Sequence, residues 1–283
     1  MTNIPPRQLS VDILAGGLKT RRVGRRIVVL PQVDSTNTYA LQTLATSAGA
    51  DADGTVVFAE HQTAGRGRLG RSWHAPTGAS LLTTTLLWEA DDNHHAAYWC
   101  MAAAIAVVRG IEAATDLDPM IRWPNDVYIG DRKVSGILVE VRRADPVVNH
   151  EPSAGDQKTQ GVFVAIGIGV NCLQHAGHFP EEIRHKATSL EMASAHAVDR
   201  VAVARAIMRA LDDVSGAAGR ISDAQLAAAW TERSGDIGTA TTLISGGQQF
   251  DGRIVDVHPQ HGLVLQLETG ARRHFDPATT SRL

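Results

Sequence analysis

Residues 60–74 read EHQTAGRGRLGRSWH, and what this stretch can be decides the class of fold. Gly65, Gly67 and Gly70 match G-x-G-x-x-G, the spacing that opens a dinucleotide-binding βαβ unit. In that unit a strand runs straight into the glycines and a helix must follow, its N-terminus holding the pyrophosphate. Here Gly70 leads into Arg71-Ser72-Trp73-His74-Ala75-Pro76-Thr77-Gly78, and Pro76 and Gly78 oppose a helix. The Gly-Lys-Ser/Thr ending of a P-loop is missing too. A doubly wound parallel fold is set aside. So is an RNA-contacting arginine–glycine segment, because this stretch is single and flanked by strands. A ligand-wrapping loop remains. Its glycines let backbone approach a ligand closely. Arg66, Arg68 and Arg71 bring fixed charge and forked donors suited to phosphate and carboxylate oxygens. Trp73 offers a stacking face. No acid occurs from His61 through Trp88, so the loop suits an anionic small molecule held away from water.

Outward from the loop, 283 residues allow one large domain and a small one, and 43% hydrophobic residues can build a core. A net charge of −3 gives no global attraction to nucleic acid or membrane. Cys100 and Cys172 lie far apart in apolar segments and read as buried free thiols in a reducing compartment. The N-terminus lacks the apolar core of a signal peptide. The longest apolar candidate, residues 96–108, is too short to span a bilayer and reads as a buried helix. The expected location is the cytoplasm. Residues 1–26 carry six basic residues and one acid and read as a solvated N-terminal arm, too short for a helix-turn-helix domain.

Residues 27–32, 55–60 and 80–88 read as strands. Asp34-Ser35-Thr36-Asn37 supplies capping residues before an amphipathic helix with Tyr39, Leu41, Leu44 and Ala48 inward. Alanine-rich residues 94–115 read as a long buried helix. Short strands are expected at 120–123, 127–130 and 133–141, and a continuously apolar central strand at 161–171. Residues 142–160 lack any period and read as a surface loop, and 175–188 as a second irregular stretch. Helices follow at about 199–218 and 222–233. From Gly238 the composition turns to short β runs at 239–244, 250–258, 263–268 and 272–275, separated by Gly-Gly, His-Pro and Thr-Gly turns.

Three further clusters carry chemistry, each with a plainer reading. In Arg122-Trp123-Pro124-Asn125-Asp126, Asn125 can bond a base or ribose and Asp126 can orient a nucleophile or take its proton. Pro-Asn-Asp is equally plain turn chemistry. Lys133 opens an apolar strand, where a lone lysine is ordinarily a solvated edge residue. In Gly167-Ile168-Gly169-Val170-Asn171 the glycines permit close approach of a ligand, or simply bend a sheet.

Taken in order, these motifs resemble the bacterial biotin–protein ligase (biotin–carboxyl-carrier ligase) family. The residues that carry the likeness are Asp34-Ser35-Thr36-Asn37, Gln62-x-x-Gly65-Arg66-Gly67-Arg68-x-Gly70-Arg71-x-Trp73, Trp123-Pro124-Asn125-Asp126, Lys133-x-x-Gly136-Ile137-Leu138-x-Glu140 and Gly167-x-Gly169-x-Asn171. The likeness covers residues 27–283, strongly in the catalytic part and only by position and β pattern at the C-terminus. It implies an α+β fold: a mixed-sheet catalytic domain with flanking helices, of the class II synthetase-like biotin/lipoate ligase kind, plus a small SH3-like β-barrel. The domains expected are an arm at 1–26, a catalytic domain at 27–235 and the β module at 236–283. Because the match begins by residue 27, the resemblance is to the type without an N-terminal DNA-binding domain, and no DNA partner is expected.

The implied activity has two steps. The biotin carboxylate attacks the α-phosphate of ATP, giving biotinyl-5′-AMP and pyrophosphate. The ε-amine of a lysine on a biotin carboxyl carrier domain then displaces AMP. The family positions assign catalysis to Lys133, Arg68 and Asp126. They assign biotin to Ser35, Thr36, Gln62, Gly65, Arg66, Arg68, Lys133 and Gly136. ATP and the adenylate fall to Arg66, Arg68, Arg71, Trp73, Asn125, Lys133 and Asn171. Mg²⁺ would mask the pyrophosphate, with metal ligands unknown. The partner implied is the carrier domain of a biotin-dependent carboxylase, with no membrane partner and a homodimer left open. The rivals are lipoate–protein ligase, which shares fold class and adenylation chemistry, and a non-catalytic biotin-responsive regulator. Arg122 stands where many relatives have lysine, a cation for a cation.

Overall fold

The two longest apolar strands pair with each other. β3 (Ser80–Glu89) and β7 (Val162–Asn171) run antiparallel from Ser80↔Asn171 to Glu89↔Val162, and both are buried over nearly their whole length. That is why the apolar run of β7 is continuous, and why even Thr83, Thr84 and Thr85 of β3 are buried: a strand covered on both faces has no solvent side to alternate toward. The computed structural model describes residues 8–89, 96–144, 161–215 and 221–283. Around this pair stand β1 (Arg26–Leu30), β2 (Thr55–Ala59), β4 (Met120–Arg122), β5 (Asp126–Ile129) and β6 (Arg132–Arg143). The order is β1-β2-β3-β7-β6-β5-β4, with β1 and β2 parallel and every other pair antiparallel. The sheet is therefore mixed and the fold α+β, as expected.

The main helical segments that flank it are α1 (Val11–Ala15), α2 (residues 36–48), α3 (Ala96–Ala114), α4 (Arg200–Ser215) and α5 (Asp223–Glu232), with a single further α-turn at Leu190–Ala193 among the described residues. α3 packs against α4, β6 and β7 and is apolar almost all round, as a core helix must be. It runs from Ala96 to Ala114, within the expected 94–115, and is long and apolar enough by composition to cross a membrane. Of its most apolar 18-residue window, 72% is instead buried inside the fold.

A second, antiparallel sheet holds β8 (Ala240–Ser245), β9 (Gln248–His258), β10 (Gly262–Leu267), β11 (Arg272–Phe275) and β12 (Thr280–Arg282), in the order β11-β10-β9-β8-β12. It encloses Leu243, Ile254, Val257, Leu263, Leu265 and Phe275, consistent with an SH3-like module. Gly246 and Gly247, at φ 58° and 76°, make the two-residue turn between β8 and β9 that demands positive φ twice.

Three expectations need correcting or extending. Residues 8–26 are not a solvated arm. Leu9, Leu14 and Val23 are buried, Asp212 accepts hydrogen bonds from the backbone N–H groups of Arg21, Arg22 and Val23, and Glu60 accepts one from Leu9. Three apolar residues widely spaced among charges give no period, so composition alone misled. In α2 the buried residues are Thr36, Asn37, Ala40, Leu44 and Ala45, while Tyr39, Leu41 and Ala48 are half-buried and pack against the same cluster. A π-helical turn over Tyr39–Leu44 widens the helix, and Ala40 and Ala45 join Leu44 of the expected face as its buried apolar residues. The 142–160 loop begins later than expected, because β6 holds Arg142 and Arg143; residues 145–160 lie outside the described residues.

Candidate functional site

The arginine–glycine stretch folds back on itself. Gly67 N–H donates to the Arg71 carbonyl at 2.6 Å and Trp73 N–H to that of Gly65 at 2.9 Å, around a turn in which Leu69 and Gly70 take φ 55° and 72°. A Cβ on Gly65 would lie 2.5 Å from the Trp73 carbonyl oxygen, so only glycine lets the two legs close. The hairpin lays the Trp73 indole across β6 and β7. There Gly136 and Gly169 leave room for it; a Cβ on Gly169 would sit 2.6 Å from Trp73 Cε2. Gly167 and Gly169 thus each make room for a side chain, and the register of β7 with β3 and β6 runs through them without a shift. Trp73 Nε1 is buried with no hydrogen-bond partner in the protein.

A cavity of about 690 Å³ opens over these strands, within the usual size of a small-molecule site. Every expected site residue lines it except Gly65, which acts through the hairpin. One end is neutral and polar. The backbone N–H and hydroxyl of Thr36 both donate to Gln62 Oε1, at 2.7 and 3.0 Å. The Thr84 hydroxyl stands 2.8 Å from Thr36 Oγ1 and 2.6 Å from Asn37 Oδ1. Ser35, Thr36 and Asn37 are buried, and Gly167 makes way for Asn37, whose Oδ1 would be 2.4 Å from a Cβ there. Glu140 Oε2 joins Asn37 Nδ2 at 2.8 Å to Arg66 at 2.7 Å.

The other end is cationic. Arg66, Arg68, Arg71, Arg122, Lys133, Lys186 and Arg282 line the cavity, and Asp126 is its one acid among the described residues. Lys133 Nζ lies 2.6 Å from Asp126 Oδ1 and 5.7 Å from the Trp73 ring centroid. Arg68 donates to Asn125 Oδ1 at 3.0 Å and to the Thr280 carbonyl at 3.3 Å. Burial pulls its pKa down, against the pull of Asp126, yet a guanidinium stays charged. Such a field, half-shielded from water, is suited to gathering a phosphate and a carboxylate that would otherwise repel. Asn125 also donates to the Ile137 carbonyl at 2.7 Å, and Asn171 spans the Thr188 carbonyl and Gln174. Both asparagines thus hold the wall in shape. The Trp123–Pro124 peptide is cis, and the Cys100 thiol behind it, 3.5 Å from the Pro124 carbonyl oxygen, is pushed up by burial to about 12. Cys172, equally buried, is likewise pushed up to about 12; both are free thiols, as expected.

Sequence reasoning missed four contributors. Thr84 reads as one more strand threonine. Lys186 lies in an aperiodic stretch, and Thr280 and Arg282 belong to a three-residue strand too short to show alternation. Only the tertiary fold brings Lys186, Thr280 and Arg282 to the cavity and sets Thr84 behind its wall, against Thr36 and Asn37.

The biotin/lipoate A/B protein ligase family model matches residues 29–153. The chain is 30% identical over 270 residues to the bifunctional ligase/repressor BirA of Bacillus spizizenii, covering 95% of this chain and 78% of the relative. It is 35% identical over 248 residues to the biotin–(acetyl-CoA-carboxylase) ligase of Mycobacterium tuberculosis, covering 86% and 84%. Among solved structures, a biotin protein ligase from Aquifex aeolicus in complex with biotin and ATP superposes with a TM-score of 0.66 at 25% identity, covering 92% of this chain and all of that one.

Proposed function

We infer that this chain, which belongs to the biotin protein ligase family, is an ATP-dependent biotin–protein ligase. It joins biotin to ATP as biotinyl-5′-AMP and passes the biotinyl group to a lysine of a carboxylase carrier protein. The observation that carries this reading is one cavity with a neutral polar end and a cationic end, bridged by Trp73. Ser35, Thr36 and Gln62 suit the ureido ring of biotin, which is uncharged but must keep its hydrogen bonds when buried. Arg68 and Lys133 neutralise the attacking carboxylate and the α-phosphate as oxygen–phosphorus bonding begins and pyrophosphate departs. Arg66 and Arg71 assist; Trp73 faces adenine. Asn125 acts by aiming Arg68, Asn171 by bracing β7, and Gly136 and Gly65 by making room for the indole and closing the hairpin. In the second step Asp126 accepts the proton of the incoming lysine, whose nitrogen attacks the anhydride carbonyl while AMP leaves.

Among the described residues no group of three metal-ligating side chains converges. The one lining acid is committed to Lys133, so Mg²⁺ fits here as an ion carried on the phosphates of the nucleotide. The reading divides the chain at 27–235 and 236–283. It takes a cytoplasmic setting and no DNA partner, in keeping with the net charge of −3, and leaves a homodimer open. The mouth is rimmed by Leu69, Ile183 and Leu283, three of the exposed large hydrophobic side chains, a collar that a docking carrier domain would cover.

The test is ATP–pyrophosphate exchange by the purified chain with Mg²⁺ and biotin, lipoate or no acid. Exchange with biotin alone is expected. Exchange with lipoate alone would assign the sister activity, and none with either would remove adenylation altogether.

A further inference from the structure

We propose that Lys186 holds the outer phosphates of ATP and stabilises pyrophosphate as it leaves. The inference rests on the ligase reading above and adds a residue to it. Apart from a 3₁₀ turn at Ala176–His178, residues 175–188 form no regular element, yet their end is pinned to the site. Lys133 N–H donates to the Lys186 carbonyl at 2.8 Å and Thr188 N–H to the Lys133 carbonyl at 2.9 Å, a parallel bridge between the two segments. Lys186 N–H and Ala187 N–H both donate to the Ile183 carbonyl at 2.9 Å, closing the turn before it. The backbone of Lys186 is therefore fixed beside that of Lys133, and its exposed side chain lines the same cavity.

The distribution of partners gives it a role. Among the lining cations, Arg66 is paired with Glu140, Arg122 with Asp131, Lys133 with Asp126 and Arg282 with Asp236. Arg68 is half-buried and engages Asn125 and Thr280. Lys186 and Arg71 are the exposed lining cations with no acid in ion-pair range among the described residues. A triphosphate brings more negative charge than the α-phosphate alone, and its outer end must depart into water. A hydrated ammonium on an outer wall beside Lys133 meets that end. A lysine serves here as a point charge needing no fixed fork.

The experiment compares Lys186→Ala, Lys186→Arg and Lys186→Glu in the full chain. Two reactions are read: biotin-dependent ATP–pyrophosphate exchange, and transfer to a biotin carboxyl carrier domain from supplied biotinyl-5′-AMP. The adenylate has no outer phosphates, so the second reaction bypasses the proposed contact. Lys186→Ala should raise KM for ATP about tenfold, the scale of one charge-assisted contact. Lys186→Glu should raise it further and Lys186→Arg should stay near the parent chain. Biotin KM and transfer from the adenylate should be unchanged. An unaltered KM for ATP, or an equal loss in transfer, would overturn the proposal. Failure of the unmodified chain to exchange with biotin would instead strike the ligase reading beneath it.

Discussion

Lys133 and Asp126 face each other at 2.6 Å, and each is assigned work that requires it to release the other. Lys133 must turn to a carboxylate and a phosphate, and Asp126 must be free to take a proton from an amine. The two demands fall in sequence, because the adenylate that engages Lys133 is also the electrophile the amine attacks. Asp126→Asn keeps a polar neighbour for Lys133 and removes the proton acceptor. Pyrophosphate exchange should change only a few-fold, while transfer from supplied biotinyl-5′-AMP should fall by about 10²-fold, the lower range for a positioned base. Rapid-quench measurement of the two half-reactions separates them. A loss confined to exchange would mean that Asp126 serves only to hold Lys133.

At the level of elements, the site depends on strands that carry glycine where a neighbour must lie flat. Gly169 in β7 is the clearest case, since its missing Cβ is the space occupied by the Trp73 indole. Gly169→Ala should lift the indole and raise KM for ATP about tenfold, as loss of about 1.4 kcal/mol of contact would, with the sheet intact by circular dichroism. An unchanged KM would show that Trp73 adjusts without cost and that its present position is not the one that meets the nucleotide. The same element shows what was legible beforehand. β7 announced itself by a continuous apolar run and β3 by its leucines and β-branched threonines, and the paired glycines of β7 promised a close approach without saying of what. Lys133, Asp126 and the hairpin arginines were legible because motif and chemistry coincide within a few residues. The π-turn of α2, the burial of Leu9 and Leu14 and the arrival of β12 at the cavity were not. Each depends on partners far along the chain, such as Glu60 for Leu9 and Arg68 for Thr280, and no local period records them.

At the scale of the molecule the question is how the five-stranded sheet is held to a site built mainly on the other one. Asp236, 1% exposed, is the fastening. Its Oδ2 accepts the Trp123 backbone N–H at 2.6 Å, at the head of the Trp123–Asp126 turn, and its Oδ1 meets Arg282 of β12 at 2.5 Å. Next to it, Ile121 N–H donates to the Arg233 carbonyl at 2.7 Å and Gly235 N–H to that of Ile121 at 3.0 Å. Breaking a buried ion pair on one side costs about 3–5 kcal/mol. Arg282 is partly exposed and can turn to water, so Asp236→Ala should cost about 3 kcal/mol, much of it from the stranded Trp123 N–H. Asp236→Asn, which keeps an acceptor for that N–H, should cost less. Denaturant unfolding gives the stability of each variant, and pyrophosphate exchange under native conditions tells whether the site loosens with the joint. Arg282→Met completes a double-mutant cycle with Asp236→Ala. Because the two side chains touch, their effects on stability and on KM for ATP should fall short of additive. Strict additivity in both would mean that Asp236 supports the Trp123 turn alone, and that β12 reaches the cavity without being fastened to it.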